Sequence, residues 1–297
     1  MGHAAAVSGG WFVYLRLGRV SNLPTVWTNV ATGAVLSGMP LYPGTMALVL
    51  LAMSLFYAGG MYLNDAFDRH VDARERPERP IPAGLVSART VFILGFGMLA
   101  VAVAILAVAA WGGRWQGTGR AVASGVALAA AIIYYDVVHK RDPLSPLIMG
   151  LCRLLIYITA ALVVSGRLAT PVLAGAAALL SYLVGLTYIA KQENLARFRN
   201  AWPLVFLAVP FIYAMPIVMD TVGGAVLYLG FLGWVGYSLS RLRPRRMDIP
   251  GAVVRLLAGV CLLDALLIAG ANEPLLATAA IGGFILTRIL QGYVAGT

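Results

Sequence analysis

Long, continuously apolar runs separated by short polar segments dominate the chain. A membrane core of about 30 Å needs about 20 helical residues to cross it, and ten runs approach that length. The runs are unbroken rather than alternating, which favours membrane-spanning helices over the strands of a barrel. The ten predicted spans are residues 22–41, 44–63, 90–111, 121–138, 144–165, 169–190, 202–219, 222–240, 251–270 and 275–293.

The composition agrees with this pattern, because 60% of the 297 residues are hydrophobic and only 11% are charged. Soluble domains carry roughly 25% charged residues, which argues against a soluble enzyme or a secreted disulfide scaffold. Residues 11–21 combine aromatic and apolar side chains with Arg16 and Arg19, a pattern typical of a helix that lies in the membrane interface. Pro210 and Pro216 lie inside one predicted span and should kink it.

Basic residues gather on one side of the predicted bundle. Sixteen of the 22 Lys and Arg residues fall in the N-terminal segment and the loops after the even-numbered spans, whereas the opposite loops hold Arg114, Arg120 and Arg167. Because cytoplasmic loops collect Lys and Arg, we predict a multi-pass protein of the cell membrane with cytoplasmic termini and cytoplasmic site loops. This bias accounts for the net charge of +10 without a nucleic-acid partner.

Acidic residues cluster where the second predicted span ends. Five of the twelve fall within fourteen positions: Asp65, Asp68, Asp72, Glu75 and Glu78. Asn64, Asp68 and Asp72 are spaced four apart, which places three oxygen ligands on one helix face. Such ligands suit Mg²⁺, which completes its coordination shell with substrate phosphates. Four arginines follow, whose guanidinium groups suit phosphate oxygens: Arg69, Arg74, Arg76 and Arg79. We predict an acidic and arginine-rich loop over 64–89 that binds a Mg²⁺-bound diphosphate; the alternative is a solvated loop of mutual ion pairs.

Two further polar clusters lie on the same predicted side. Lys140 and Arg141 are suited to neutralise a leaving diphosphate, or else they anchor the helix end at the interface. His139 is interpreted as an interface residue. Glu193 is a candidate metal ligand, and the alternative is a surface ion pair with Arg197.

Three charged residues fall inside predicted spans, where lone charges are costly. Arg153, Asp264 and Arg288 are therefore either pocket residues or members of internal pairs, such as Asp264 with an arginine. Cys152 and Cys261 both lie in apolar runs, and neither a disulfide framework nor a metal site is expected from two thiols.

The acidic segment resembles the first aspartate-rich motif of the UbiA superfamily of intramembrane prenyltransferases. The matching pattern is Asn64-x₃-Asp68-x₃-Asp72, followed by Arg76-Pro77-x-Arg79-Pro80 and Gly84. The beginning of the family's first helix is similar to Arg16-Leu17-x-Arg19-x-x-Asn22-Leu23-Pro24, and its basic pair after the fourth helix is similar to Lys140-Arg141. Within the superfamily, two features look more like a divergent branch that includes the EboC-type proteins: the run Met149-Gly150-Leu151-Cys152-Arg153 and the variant Lys191-Gln192-Glu193.

The sequence shows no soluble domain beside the apolar runs, and we predict one domain over 1–297. The resemblance implies that it is an all-α bundle around a central cavity that opens toward lipid. It implies Mg²⁺-dependent transfer of a prenyl group from a polyprenyl diphosphate to a small lipophilic acceptor, aromatic or hydroxylated, within membrane lipid. The residues expected to be catalytic are Asp68, Asp72, Arg69, Lys140 and Arg141. The expected metal ligands are Asn64, Asp68, Asp72 and Glu193. The expected substrate contacts are Asn64, Asp65, Arg69, Lys140, Arg141, Arg153, Tyr188 and Lys191.

The chain departs from the family pattern in two places. The family's second motif carries two or three aspartates, whereas this chain has Lys191-Gln192-Glu193-Asn194 with one acid. Either Glu193 serves a reduced metal shell, or Lys191 replaces a metal charge at the diphosphate. The family usually has nine spans, against ten counted here. The eroded motif leaves open a non-catalytic protein that binds or transports a prenyl lipid, and buried charges also permit a secondary transporter.

Overall fold

Eleven α-helices form a bundle in the computed structural model, which describes residues 10–111, 115–192, 202–242, 248–294 and 296. They are α1 Gly10–Leu17, α2 Leu23–Leu36, α3 Pro43–Glu75, α4 Ala88–Trp111, α5 Trp115–Val138, α6 Ser145–Ser165, α7 Thr170–Ala190, α8 Val209–Val218, α9 Val222–Leu239, α10 Ile249–Gly270 and α11 Pro274–Leu290. Short 3₁₀ turns lie at Val20–Asn22, Trp202–Leu207 and Ser240–Leu242.

Seven helices in the described part of the chain are long and apolar enough to cross a membrane: α3, α4, α5, α6, α7, α9 and α10. Two shorter apolar segments, Leu204–Val218 and Pro274–Leu290, accompany them. Each of the ten apolar runs contains one α-helix or most of one, so the predicted all-α transmembrane bundle is confirmed. The apolar side chains that remain exposed on these helices are consistent with an integral membrane protein.

The predicted distortion of the span over 202–219 is present at one of the two prolines, Pro210. The run over 202–219 divides into the 3₁₀ turn Trp202–Leu207 and helix α8, with Pro210 in the first turn of α8 and Pro216 inside it. Pro210 fits there because the first helical turn does not need its missing N–H.

The acidic segment is helical where the sequence predicted a loop. Helix α3 runs for 33 residues and ends at Glu75, so only the C-terminal part of the predicted loop 64–89 is irregular before α4 begins. The error arose because hydropathy marks where the apolar run ends, whereas the helix continues through polar residues that share one face. The predicted interfacial helix 11–21 is shorter as well: α1 ends at Leu17, and its Val13 packs with Tyr62 and Ala66 of α3.

Helix α2 lies against α6 and α10 in the centre of the bundle. Close packing depends on Gly33, where a Cβ would lie 2.5 Å from the carbonyl oxygen of Tyr157. That distance is below any real Cβ contact, so only glycine permits this approach of α2 to α6.

A buried polar network joins the same three helices. Asp264 accepts hydrogen bonds from the hydroxyls of Thr28 and Tyr157 and from Nδ2 of Asn29 at 2.8 Å. Oδ1 of Asn29 accepts in turn from Nη1 of Arg153 at 3.0 Å. The predicted internal pairing of Asp264 with an arginine is therefore wrong in detail, because Asn29 stands between the carboxylate and the guanidinium.

Candidate active site

The first aspartate-rich motif occupies successive turns at the end of α3. Asn64, Asp68 and Asp72 are all buried, and they line a single cavity of about 350 Å³, which we call the outer cavity. Its other lining residues include Arg19, Arg79, His139, Lys140 and Lys191. The four-residue spacing therefore gives one oxygen-rich face, as helix geometry requires.

Two basic side chains from the turn after α5 reach across to this face. Nζ of Lys140 lies 3.3 Å from Oδ2 of Asp68, and Nε2 of His139 lies 3.4 Å from the same oxygen. The interpretation of His139 as a simple interface residue is thus wrong, because its ring turns inward to the acidic face. Because His139 and Lys140 are adjacent in the chain, both basic side chains reach the carboxylate of Asp68.

Arginines from two other segments complete the ring of positive charge. Nη1 of Arg79 lies 2.8 Å from Oδ2 of Asp72 and 3.3 Å from Oδ1 of Asp65. Nη2 of Arg19 lies 3.2 Å from Asp65 and 3.4 Å from Oδ1 of Asn64. Asp65 thus serves as an anchor for these two arginines, and it is absent from the lining of the outer cavity among the described residues.

Lys191 closes the opposite wall, at the end of α7. Its ammonium group donates to the carbonyl oxygen of Asp142 and to the hydroxyl of Ser145, both at 2.7 Å. Partial burial lowers the pKa of Lys191 below that of a free lysine, against an opposing contribution from Asp142. The side chain lines the outer cavity where an anion would approach.

A second cavity of about 210 Å³, the inner chamber, continues inward from the outer one. The two share lining residues from five helices and the N-terminal segment: Arg19, Met61, Tyr135, Met149, Thr187, Ala190 and Val253. Deeper, the walls are mostly apolar, with Phe56, Leu128, Ile156 and Leu183 among them. A charged opening that leads to an apolar interior suits an amphiphile with an anionic head and a hydrocarbon tail.

Besides Arg19, which both cavities share, two charged residues interrupt the apolar wall of the inner chamber. One is Arg153, as predicted for a pocket residue; the other is Asp136, which was not among the predicted site residues. Nδ2 of Asn64 donates to Oδ1 of Asp136 at 3.3 Å. A signal for Asp136 was present, since it is an acid inside a predicted span, one turn before Lys140.

Several predicted site residues lie away from both cavities. The guanidinium of Arg69 lies over the ring of Phe92 at 5.6 Å and donates to the carbonyl of Ala66. Arg141 is exposed beyond the end of α5, and Tyr188 is not among the described residues that line either cavity. The structure therefore does not bring these three predicted substrate contacts to the site. Glu193, a predicted metal ligand, lies outside the described residues.

The outer cavity contains oxygen donors suited to a divalent cation. Among the residues that the structure describes, no group of three or more His, Cys, Asp or Glu side chains is arranged to hold a metal ion. The outer cavity instead offers two carboxylates and an amide oxygen on one face. That set fits Mg²⁺, which binds through one or two carboxylates and takes its remaining ligands from water and phosphate. The residues present therefore fit the ion as a partner of a diphosphate.

A family model for the UbiA prenyltransferase family matches residues 23–257, which include every helix from α2 through α9 and most of the residues that line the two cavities. The chain belongs to the UbiA prenyltransferase family. The resemblance drawn from the first motif is confirmed at that level.

Curated relatives match over part of their length. Digeranylgeranylglyceryl phosphate synthase from Metallosphaera sedula is 36% identical over 96 residues, which cover 32% of this chain and 34% of that protein. The synthase from Methanopyrus kandleri is 38% identical over 95 residues, covering 32% and 35%. The chain thus matches about a third of the length of these relatives.

Solved structures extend the likeness to the whole bundle. A UbiA homologue from Archaeoglobus fulgidus, bound to GPP and Mg²⁺, has a TM-score of 0.63 with 16% identity, covering 91% of this chain and 99% of that one. A structure of digeranylgeranylglyceryl phosphate synthase has a TM-score of 0.62 with 17% identity, covering 89% and 99%. At these identities the likeness establishes the shared fold.

Proposed function

We propose that the protein is an intramembrane prenyltransferase that passes a prenyl group from a polyprenyl diphosphate to a lipophilic acceptor. One observation carries the proposal: a ring of acids and cations surrounds an outer cavity that opens into an apolar inner chamber. Membership in the UbiA family and the GPP and Mg²⁺ bound to the Archaeoglobus fulgidus homologue support it.

In this proposal the outer cavity receives the diphosphate. Asn64, Asp68 and Asp72 hold Mg²⁺, which supplies charge neutralisation to the phosphate oxygens when it is bound. Lys140 and Arg79 exchange their carboxylate partners for phosphate oxygens, because both side chains line the cavity that the diphosphate enters. Positive charge fixed at the leaving group favours departure of the diphosphate.

The inner chamber then receives the hydrocarbon chain. Its apolar wall excludes water from the allylic carbon, which limits hydrolysis of the donor. The carbon–oxygen bond of the donor breaks with its electron pair on the diphosphate. A lone pair or π pair of the acceptor forms the new bond, and the acceptor releases a proton.

We also propose that the outer cavity faces the cytoplasm, since the charge bias of the loops places the ends of α3, α5 and α7 on that side. The relatives' product name offers a first acceptor to test, a geranylgeranylglyceryl phosphate.

The test is transfer of a labelled prenyl group by the purified protein in lipid nanodiscs. Geranylgeranyl diphosphate, Mg²⁺ and geranylgeranylglyceryl phosphate are supplied, and the lipid product is quantified by mass spectrometry. Asp68→Asn and Asp72→Asn should each lower the rate by about two orders of magnitude or more. Asp220→Asn is the matched control, because Asp220 is exposed and lies outside both cavities.

Two outcomes would contradict the proposal. Mg²⁺-dependent binding of the donor without product, across hydroxylated and aromatic acceptors, would favour the alternative of a prenyl-lipid binding protein. Undiminished transfer by both aspartate variants would contradict the assignment of the first motif.

A further inference from the structure

Three arginines from three helical segments converge at one end of the bundle. Arg241 lies in the turn after α9, Arg255 in the second turn of α10, and Arg288 in the last turn of α11. Because consecutive helices alternate in direction, this is the end at which Pro250, at the start of α10, lines the outer cavity. The three arginines are not among the described residues that line either cavity. We call them the arginine cluster.

Two adjoining aromatic rings of α9 hold the three guanidinium groups in place. The Cζ atoms of Arg241 and Arg255 lie 5.5 and 5.6 Å from the centre of the Tyr237 ring. Cζ of Arg288 lies 5.6 Å from the centre of the Trp234 ring, and the two ring centres are 5.8 Å apart. A cation–π contact fixes a guanidinium without using its N–H groups. The cluster is therefore a preorganised group of cations.

The positive charge of the arginine cluster is only partly compensated. In the described part of the chain, its ion pairs involve one carboxylate, that of Asp248, whose Oδ2 lies 4.0 Å from Nη1 of both Arg241 and Arg255. That distance is too long for a hydrogen bond, and Asp248 already caps α10 by accepting from the backbone N–H of Gly251 at 2.9 Å. The charge of Arg255 also repels that of Arg288. An anion bound among the arginines would relieve this repulsion.

The arginine cluster also has hydrogen-bond donors available for a ligand. Arg255 donates to a backbone carbonyl at 2.6 Å, and Arg288 donates to the amide oxygen of Gln291 at 2.7 Å. Arg241 donates to the hydroxyl of Tyr237 at 2.9 Å, while its buried Nε has no partner among the described residues. Since each guanidinium has five N–H groups, most donors of the cluster stay available. Forked donors of this kind suit the oxygens of a phosphate.

The surface that continues from the arginine cluster is apolar and faces outward. Gly230 and Gly233 lie on the same face of α9 as Tyr237, and a Cβ at either glycine would have nothing within 4 Å. Helices α9 and α11 also expose large apolar side chains: Leu229, Leu232, Ile285 and Ile289. A headgroup held by the arginines would thus have room for its acyl chains along these two helices.

We propose that the arginine cluster binds the phosphate headgroup of an anionic phospholipid from the surrounding membrane. The apolar surface beside the cluster favours a phospholipid over a free phosphate, and basic pockets between membrane helices bind acidic headgroups in this way. Because the arginines come from three segments, the bound lipid ties α9 and α11 to α10. The site lies apart from both cavities, so this inference does not depend on the proposed prenyl transfer.

The test is native mass spectrometry of the full chain titrated with dioleoyl phosphatidylglycerol or dioleoyl phosphatidylcholine. The wild-type protein should bind phosphatidylglycerol about tenfold more tightly, because that lipid alone brings net negative charge. Arg255→Gln and Arg288→Gln should each weaken its binding about tenfold, the loss expected for one charge-assisted hydrogen bond. Arg89→Gln is the matched control, since it removes the same charge at an exposed position at the start of α4, at the same end of the bundle.

The variants distinguish a specific site from general attraction. A single gel-filtration peak and a wild-type circular dichroism spectrum show that each variant is folded. Equal binding of the two lipids by the wild-type protein would overturn the site, as would a full preference for phosphatidylglycerol in both folded variants. An equal loss in Arg89→Gln would assign the preference to overall charge and would also overturn it.

A second measurement uses the wild-type protein alone and is independent of how the variants fold. In nanodiscs, phosphatidylglycerol with a diazirine on its acyl chain should label α9 and α11 more than phosphatidylcholine with the same chain does, as mapped by peptide mass spectrometry. Equal labelling by the two probes, or an excess confined to other helices, would overturn the site. The excess should withstand inorganic phosphate and geranyl diphosphate at matched ionic strength; displacement by either would overturn the assignment to a membrane phospholipid.

Discussion

Arg79 and Mg²⁺ should compete for the same carboxylate, and removal of the arginine tests that competition. Nη1 of Arg79 lies 2.8 Å from Oδ2 of Asp72, and the two side chains are 16% and 2% exposed. The free energy of so buried an ion pair is closer to that of a charge-assisted hydrogen bond, about 1.5–3 kcal/mol, than to the small free energy of an exposed ion pair. Because Mg²⁺ must displace this bond, the lower end of that range corresponds to about a tenfold penalty on the ion's affinity.

We therefore expect Arg79→Gln to tighten binding of Mg²⁺ in the absence of donor by about tenfold. With Mg²⁺ saturating, the same variant should bind a prenyl diphosphate about tenfold more weakly, since a phosphate contact is lost. The two shifts have opposite signs, which distinguishes competition from general damage to the site.

The metal affinity can be measured by electron paramagnetic resonance of Mn²⁺, with Mg²⁺ as the displacing ion. Arg74→Gln is the control, because it makes the same change in net charge at an exposed position outside both cavities. Weaker or unaltered metal binding in Arg79→Gln would refute the reasoning, as would an equal tightening in Arg74→Gln.

Three further predictions concern packing, pH and orientation. Gly33→Ala should destabilise the protein by about 1–3 kcal/mol, because the added Cβ would meet Tyr157. Gly97→Ala should leave stability unchanged, because there is open space around Gly97. Thermal melting in detergent compares the two variants. Since burial lowers the pKa of Lys191, affinity for the prenyl diphosphate should fall at alkaline pH as the ammonium group loses its proton. Lys191→Arg should move that fall to higher pH when donor binding is measured against pH. A fall at the same pH in both proteins would contradict a contact between Lys191 and the donor. In a background with both cysteines replaced by alanine, an impermeant maleimide should label Arg74→Cys from the cytoplasmic side and Arg167→Cys from the other; labelling of both from one side would contradict the proposed orientation.

Much of the fold follows from hydropathy, because the requirement to span lipid constrains each run separately. Every predicted run contains one helix, and the break beside Pro210 was predictable because proline lacks a backbone N–H. The length of α3 was not, because its last turns are polar and gain their burial from neighbours that hydropathy cannot identify.

The site was recoverable where spacing alone defines a face. Asn64, Asp68 and Asp72 share a wall because they share a helix. Partners on other helices were harder to assign: the inward turn of His139 and the contact between Asn64 and Asp136 depend on how α3 and α5 are rotated against each other. A local sequence pattern does not specify that rotation.

The network around Asp264 has a consequence for how the chain is made. Helix α2 has only 14 residues and carries Thr28 and Asn29 on the face that meets α10, whose Asp264 lies 235 positions further along the chain from Asn29. Until α10 has been synthesised, these polar groups lack their carboxylate partner, and an unsatisfied polar face is costly in lipid. Assembly of the core around α2 therefore has to wait for one of the last helices to be inserted, so a chain truncated before α10 should remain an open, protease-sensitive intermediate in the membrane.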